Sequence, residues 1–124
     1  MNNLNMPLFR AKKINSDEYV VGYYNHTLDN RHIIQTLVFQ KQIFEAVSLS
    51  WFEEIDPTTL SINFNDMLDS QGNKIFASLN EDGKGGDMVN YLELGYGITF
   101  KYIKGMFISI PNSFNQFKVI GIQE

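Results

Sequence analysis

The chain has no cysteine among its 124 residues. That excludes disulfides, thiolate metal sites and cysteine nucleophiles together. No apolar run approaches the roughly eighteen residues that a membrane-spanning helix needs. The opening "MNNLNMPLFRAKK" lacks the apolar core of a signal peptide. A cytoplasmic protein with no membrane partner is therefore the expectation. Positive charge is scarce too: the formal net charge is −4, which gives no bulk attraction to nucleic acid. Acids are missing from one section only. Residues 94–123 contain no Asp or Glu, while Lys101, Lys104 and Lys118 lie there.

What is present points to sheet. The chain is 44% hydrophobic and 19% charged, a globular balance, and its length suits one domain spanning 1–124. Ten Phe, six Tyr and one Trp favour a pleated, half-buried surface. "EYVVGYYN" (18–25) and "HIIQTLVFQ" (32–40) alternate as strands and flank "HTLDNRH", a polar turn with Asp29 and Asn30 at its tip. "QIFEAVSLSWF" (42–52) mixes the two periods, and Ser48 and Ser50 favour strand. Asp56 before Pro57 suits a helix cap or a type I turn, followed by at most one or two helical turns. In "LSINFND" (60–66) Leu60, Ile62 and Phe64 share one face. "DSQGNKIF" reads as a tight turn: Asp69 and Ser70 can bond nearby amides, and Gly72 and Asn73 tolerate positive φ. "DMVNYLEL", "GITFKYI", "GMFISI" and "QFKVIGI" complete a meander with corners at 95–97, 104–105 and 111–113. The expected fold is mainly β, a small barrel or strongly bent antiparallel sheet with an N-terminal hairpin and at most short helical turns.

Four places, in order along nearly the whole chain, resemble the YopX family of phage and prophage proteins. "LFRAK" is similar to that family's opening Phe-Arg-Ala, and "VVGYY" to its first strand with an internal glycine. "EIDPTTL" with "LDSQGNKIF" is similar to its Pro-Glu-Thr-Val and Asp-Lys-Asn-Gly-Lys-Ile-Phe. "GGDMV" and "FKVIG" are similar to its Gly-Asp-Ile-Val and closing Val-Ile-Gly. Two places depart. "SINFNDM" stands where the family has Gly-Gln-Tyr-Thr-Gly-Leu, and "ASLNEDGKG" intervenes before Gly-Asp, like an insertion between two strands. The resemblance implies a mobile-element origin and a mainly β fold, and it implies no activity.

Four constellations invite chemistry. "DGKGGD" (82–87) lacks the Lys-Ser or Lys-Thr of a phosphate loop, and its acids would repel an anion. Asn80, Glu81, Asp82 and Asp87 offer hard oxygen ligands for calcium, without the EF-hand register, so a mobile solvated turn is the expectation. His26 and His32 bracket the hairpin turn near Asp29, where a transition metal is conceivable and two surface histidines are expected. Glu53, Glu54 and Asp56 sit too close in sequence to flank a scissile glycosidic bond, and read as an acidic corner capping a turn. The acid-free section mixes Tyr96, Phe100, Tyr102, Phe107, Phe114 and Phe117 with lysines. That composition suits a single-strand platform, but Phe100 and Tyr102 share parity opposite Lys101, as core residues would.

With no nucleophile–base pair and no cofactor or metal fingerprint, a non-enzymatic interaction module is expected. It is expected to be a homo-oligomer, or to bind a host or phage protein, through aromatic edge strands such as "FISIPNSF". The alternative is a nucleic-acid-binding β-barrel of phage replication or gene control. Lys101, Lys104, Phe107 and Lys118 are the candidate surface for either use.

Overall fold

The computed structural model describes residues 7–40, 47–64, 67–91, 97–108 and 117–124. Expectations for residues 42–46, Tyr96, Phe114 and the corner at 111–113 lie outside these residues. Eleven strands run in chain order: β1 (Leu8–Lys12), β2 (Tyr19–His26), β3 (His32–Gln40), β4 (Val47–Glu54), β5 (Ser61–Asn63), β6 (Ala77–Ser78), β7 (Asp87–Tyr91), β8 (Gly97–Thr99), β9 (Lys101–Ile103), β10 (Met106–Ile108) and β11 (Phe117–Ile122). Among the described residues one 3-10 turn, Pro57–Thr59, interrupts them. An eight-stranded sheet has the order β10-β9-β6-β5-β1-β2-β3-β4, and a three-stranded sheet has the order β11-β7-β8.

The mainly β expectation and the hairpin hold, with two corrections. Among the described residues the sheet does not close into a barrel. It is also mixed, because β6 pairs parallel with β9 through Ser78 and Lys101. The cause is a crossover: after β6 the chain leaves to form β7 and β8 in the second sheet, then returns alongside, and parallel neighbours require such a detour.

The large sheet bends at Gly22. Tyr19–Gly22 of β2 pairs with β1 and Tyr23–His26 pairs with β3. A Cβ at Gly22 would lie 2.2 Å from the Gln35 carbonyl oxygen, so only glycine permits this approach. The bend carries the end of β4 back to the end of β1. Lys13 and Ile55 form an isolated bridge there, with Ile14 N donating to Glu54 O at 3.0 Å and Asp56 N to Lys12 O at 2.9 Å. Ala11, Ile34, Ile55 and Leu60 fill the concavity. A second cluster, Met67, Ile75, Ala77, Val89, Phe100 and Phe117, joins residues of both sheets, with the two phenylalanine rings edge to face at 5.0 Å.

Strand β5 corrects a simple reading of alternation. Ile62 is buried as expected, but Ser61 and Asn63 are buried too. The strand lies inside the sheet, between β1 and β6. Its polar faces are satisfied: Ser61 Oγ donates to Arg10 O, and Asn63 Nδ2 donates to Met67 O and Ile75 O at 3.0 and 2.7 Å.

The "DSQGN" turn forms as the sequence suggests around Asp69, with Gly72 at φ 83. Asn73 does not take positive φ. The buried Asp69 carboxylate accepts from Gln71 N, Asn73 N and Val119 N at 2.9, 2.8 and 3.0 Å, tying the turn to β11. Burial alone would push this carboxyl up; the N–H groups of Val119, Asn73 and Gln71 outweigh it and hold it below the usual range. A carboxylate with a depressed folded pKa stabilises above its unfolded pKa of about 3.9, and that contribution is lost as pH falls through the folded value. Asp69→Asn is therefore expected to cost about 1–3 kcal/mol at pH 7, because an amide would turn a donor toward the Val119 N–H. It should also flatten the loss of stability below about pH 4. Urea melts at pH 7 and pH 3 measure both effects.

Candidate functional site

The glycine-rich connection between β6 and β7 is a structural joint, which corrects the mobile solvated turn expected from its composition. Gly83, Gly85 and Gly86 are buried, the first two at φ 81 and 86. Asn80 Nδ2 donates to Thr58 O at 2.9 Å, Ser78 Oγ donates to Lys84 O at 2.8 Å, and Gly85 N donates to Gln123 O at 2.8 Å. Gln123 N returns a bond to Gly86 O at 2.8 Å. Glycine composition signals freedom in an isolated chain, but here it permits close approach instead. A Cβ at Gly85 would sit 1.9 Å from Thr59 O.

At the end of this joint Asp87 turns inward. It is 1% exposed, and its Oδ1 accepts from Arg10 Nη2 at 2.8 Å while its Oδ2 accepts from Phe76 N at 2.8 Å. Arg10, 11% exposed, also donates to Gly85 O at 2.9 Å and lies over the Phe76 ring, 4.6 Å from its centre. The backbone of Asp87 stitches the sheets together: its N donates to Phe76 O and its O accepts from Phe100 N. Burial pushes the Asp87 carboxyl up, and Arg10 opposes that shift only in part. The carboxylate is thus committed to Arg10 and cannot converge with Asn80, Glu81 and Asp82 on a cation. Among the described residues no group of three His, Asp or Glu side chains is placed to hold a metal.

His26 and His32 do meet across the hairpin. They are direct register partners, and their rings stack 4.1 Å apart at 12°. The stack continues to Tyr24, whose hydroxyl shares a 2.5 Å hydrogen bond with His32 Nδ1, and His26 Nε2 bonds Asn30 Oδ1 at 2.8 Å. Asp29 is not part of this set, since its carboxylate is taken by Thr27 and Arg31.

The acidic corner does what its sequence suggests. Asp56 has extended backbone angles and caps the 3-10 turn, accepting from Thr58 N at 3.0 Å and Thr58 Oγ1 at 2.7 Å. The Thr58 hydroxyl holds its carboxyl below the usual range. Glu53 instead faces Lys13 at 3.8 Å.

The candidate lysines divide between the sheets. Lys101 and Lys104 line one open groove with Glu81, Ile103 and Met106. Lys101 Nζ donates to Glu81 O at 3.0 Å, and Lys104 takes φ 56 before Gly105 in the two-residue β9–β10 turn. Lys118 is exposed on β11 in the other sheet, opposite Asn90. Phe107 pairs with Tyr102 in β10, an end strand of the large sheet. Phe100 and Phe117 of this section are buried in the core, and the half-buried Tyr102 packs edge-on to Phe64 at 5.5 Å. The parity of Phe100 and Tyr102 against Lys101 was the sequence signal for that outcome.

Sequence reasoning missed a surface at the opposite end of the sheet. Tyr23, Gln35 and Phe52 are successive register partners across β2, β3 and β4. Phe52 is 61% exposed, Val21 41% and Tyr23 38%. These side chains share the outer face beside β4, the sheet's last strand. The signal was present in the period-two spacing of Val21 and Tyr23, but only the bend at Gly22 reveals which parity faces outward. No helix among the described residues is long and apolar enough to cross a membrane. Compared with known protein families, curated proteins and solved structures, the chain matches none.

Proposed function

We propose that the protein is a non-enzymatic, self-associating interaction module of the phage or prophage type, joining a second copy of itself through β4. The supporting observation is the coincidence of an edge, residues 47–52, that no described strand other than β3 pairs with, and an apolar outer face. The β3–β4 ladder runs from Ile33 and Glu54 to Gln40 and Val47, whereas β2 covers β3 only through Gln35. Two strands alone are marginal in water and gain from a third. The edge "VSLSWF" of β4 carries no charged residue, while the β9–β10 end carries Lys101 and Lys104, the residue type that discourages strand pairing. Antiparallel pairing of β4 with its copy about a two-fold axis would pair the backbone groups of residues 47–52 that no other described strand engages and bring the Phe52 faces side by side.

The resemblance to the YopX family supports the mobile-element origin and a cytoplasmic host setting. The single-strand alternative has less support, because the lysines are divided and Phe100 and Phe117 are buried in the core. Phe52→Lys is expected to convert the protein from a dimer to a monomer in light scattering, and Met106→Lys at the opposite end to leave the mass unchanged. A wild-type mass equal to one chain at high micromolar concentration would remove the proposal.

A further inference from the structure

We propose that the His26–His32 pair is a binding site for one borderline divalent transition metal, of the Cu(II), Ni(II) or Zn(II) class, with Asn30 as a third ligand. Antiparallel register partners bring their Cβ atoms within about 5.5 Å, so two histidines there reach a common point without backbone movement. Both residues are direct partners, and their stacked rings are 4.1 Å apart. Two nitrogens bound to one tetrahedral ion at about 2.0–2.1 Å lie about 3.3 Å from each other. Each imidazole binds in its own ring plane, so the rings, now near-parallel at 12°, turn about χ2 out of the stack until their nitrogen lone pairs converge at that separation.

The hydrogen bonds select the nitrogens. Tyr24, on the side away from the turn, engages His32 Nδ1, leaving Nε2 of His32 for the ion. That Tyr24 bond plays the part of the outer hydrogen bond that orients a metal-bound imidazole. On the turn side, His26 Nε2 is bonded to Asn30 Oδ1. A metal inserted into this bond takes Nε2 as a ligand once the His26 proton has moved to Nδ1, with no net change in protons. Asn30 then offers its oxygen to the ion. The turn is already braced for this: Asn30 sits at φ 68, and Thr27 Oγ1 accepts from Arg31 N at 2.9 Å. Two imidazoles and one amide oxygen leave the remaining positions to solvent, an open coordination sphere.

This donor set predicts a rank order. Imidazole prefers borderline metals, so Cu(II) binds more tightly than Ni(II) or Zn(II), and Mg(II) or Ca(II) is not held. Titration calorimetry of the purified full chain with each metal salt is the test. One Cu(II) per chain is expected, at least tenfold weaker in His26→Asn and in His32→Gln, and weaker to a smaller degree in Asn30→Ala. The melting temperature of the wild type should rise with Ni(II) and that of His26→Asn should not, because a ligand that binds only the folded state stabilises it. Melting each variant without metal checks that it folds. Equal Cu(II) affinity in wild type and a folded His26→Asn, or a stoichiometry unaffected by both histidine substitutions, would overturn the site. Since His26→Asn leaves Phe52 and β4 untouched, the outcome is independent of the dimer proposed above.

Discussion

Arg10→Met is expected to destabilise the protein by about 3–5 kcal/mol at pH 7, the usual consequence of leaving one member of a buried ion pair alone. The loss has two parts. Asp87 would keep a charge in a site only 1% exposed, and Gly85 O would lose its donor. The pH dependence of this variant distinguishes charge burial from lost packing. Burial already pushes the Asp87 carboxyl above its ordinary value, and removal of Arg10 removes the opposing influence. An acid whose folded pKa is raised binds its proton more readily when folded, so folding gains stability as pH falls from the folded pKa toward the unfolded value of about 3.9. The penalty of Arg10→Met measured in urea should therefore shrink between pH 7 and about pH 4.5. A penalty that stayed constant over that range would assign the effect to the lost stacking on Phe76. Adding Asp87→Leu should recover part of the loss and not all, because Gly85 O would still lack its donor and Phe76 N would now lose its acceptor.

Gly85→Ala is expected to cost about 2–5 kcal/mol. About 1–2 kcal/mol comes from placing an L side chain at φ 86, and about 1–3 kcal/mol from the methyl group meeting Thr59 O. The obstructing atom is backbone, so no rotamer change relieves it. Gly72→Ala supplies the control. Gly72 has φ 83, and a Cβ there would meet nothing within 4 Å. It should show the conformational part alone, and the difference between the two urea midpoints isolates the collision. Since small domains are stable by only about 5–15 kcal/mol, Gly85→Ala is also expected to lower the yield of folded protein.

Both positions show where sequence reading succeeds and where it stops. The hairpin of β2 and β3 was legible because alternation and a polar tip are local signals. So were the Asp56 cap, the Asp69 turn and the Lys104–Gly105 corner, since each depends on neighbours a few residues away. Strand β1 was not recognised as a strand: "LFRAK" is short, and its role between β2 and β5 depends on distant partners. Arg10 and Asp87 stand 77 residues apart, and nothing in either local pattern names the other. The glycine run was misread because the freedom it confers and the close contact it allows have the same composition. The histidine pair was legible as an approach across a hairpin, but the stacking and the division of nitrogens between Tyr24 and Asn30 required coordinates. Phe52 sits in a segment whose two periods conflict, so its outward parity could not be read in advance.

The placement of β1 also sets an order of events during synthesis. A ribosome delivers this strand before the other ten described strands, yet it occupies the middle of the finished sheet. Its first neighbour, β2, follows after a short turn, but its other flank stays bare until β5 has been made. The guanidinium of Arg10 must wait longer still, for the arrival of residue 87. The nascent chain thus carries a half-dressed strand until β5 is made, and an uncommitted cation until residue 87 has been added.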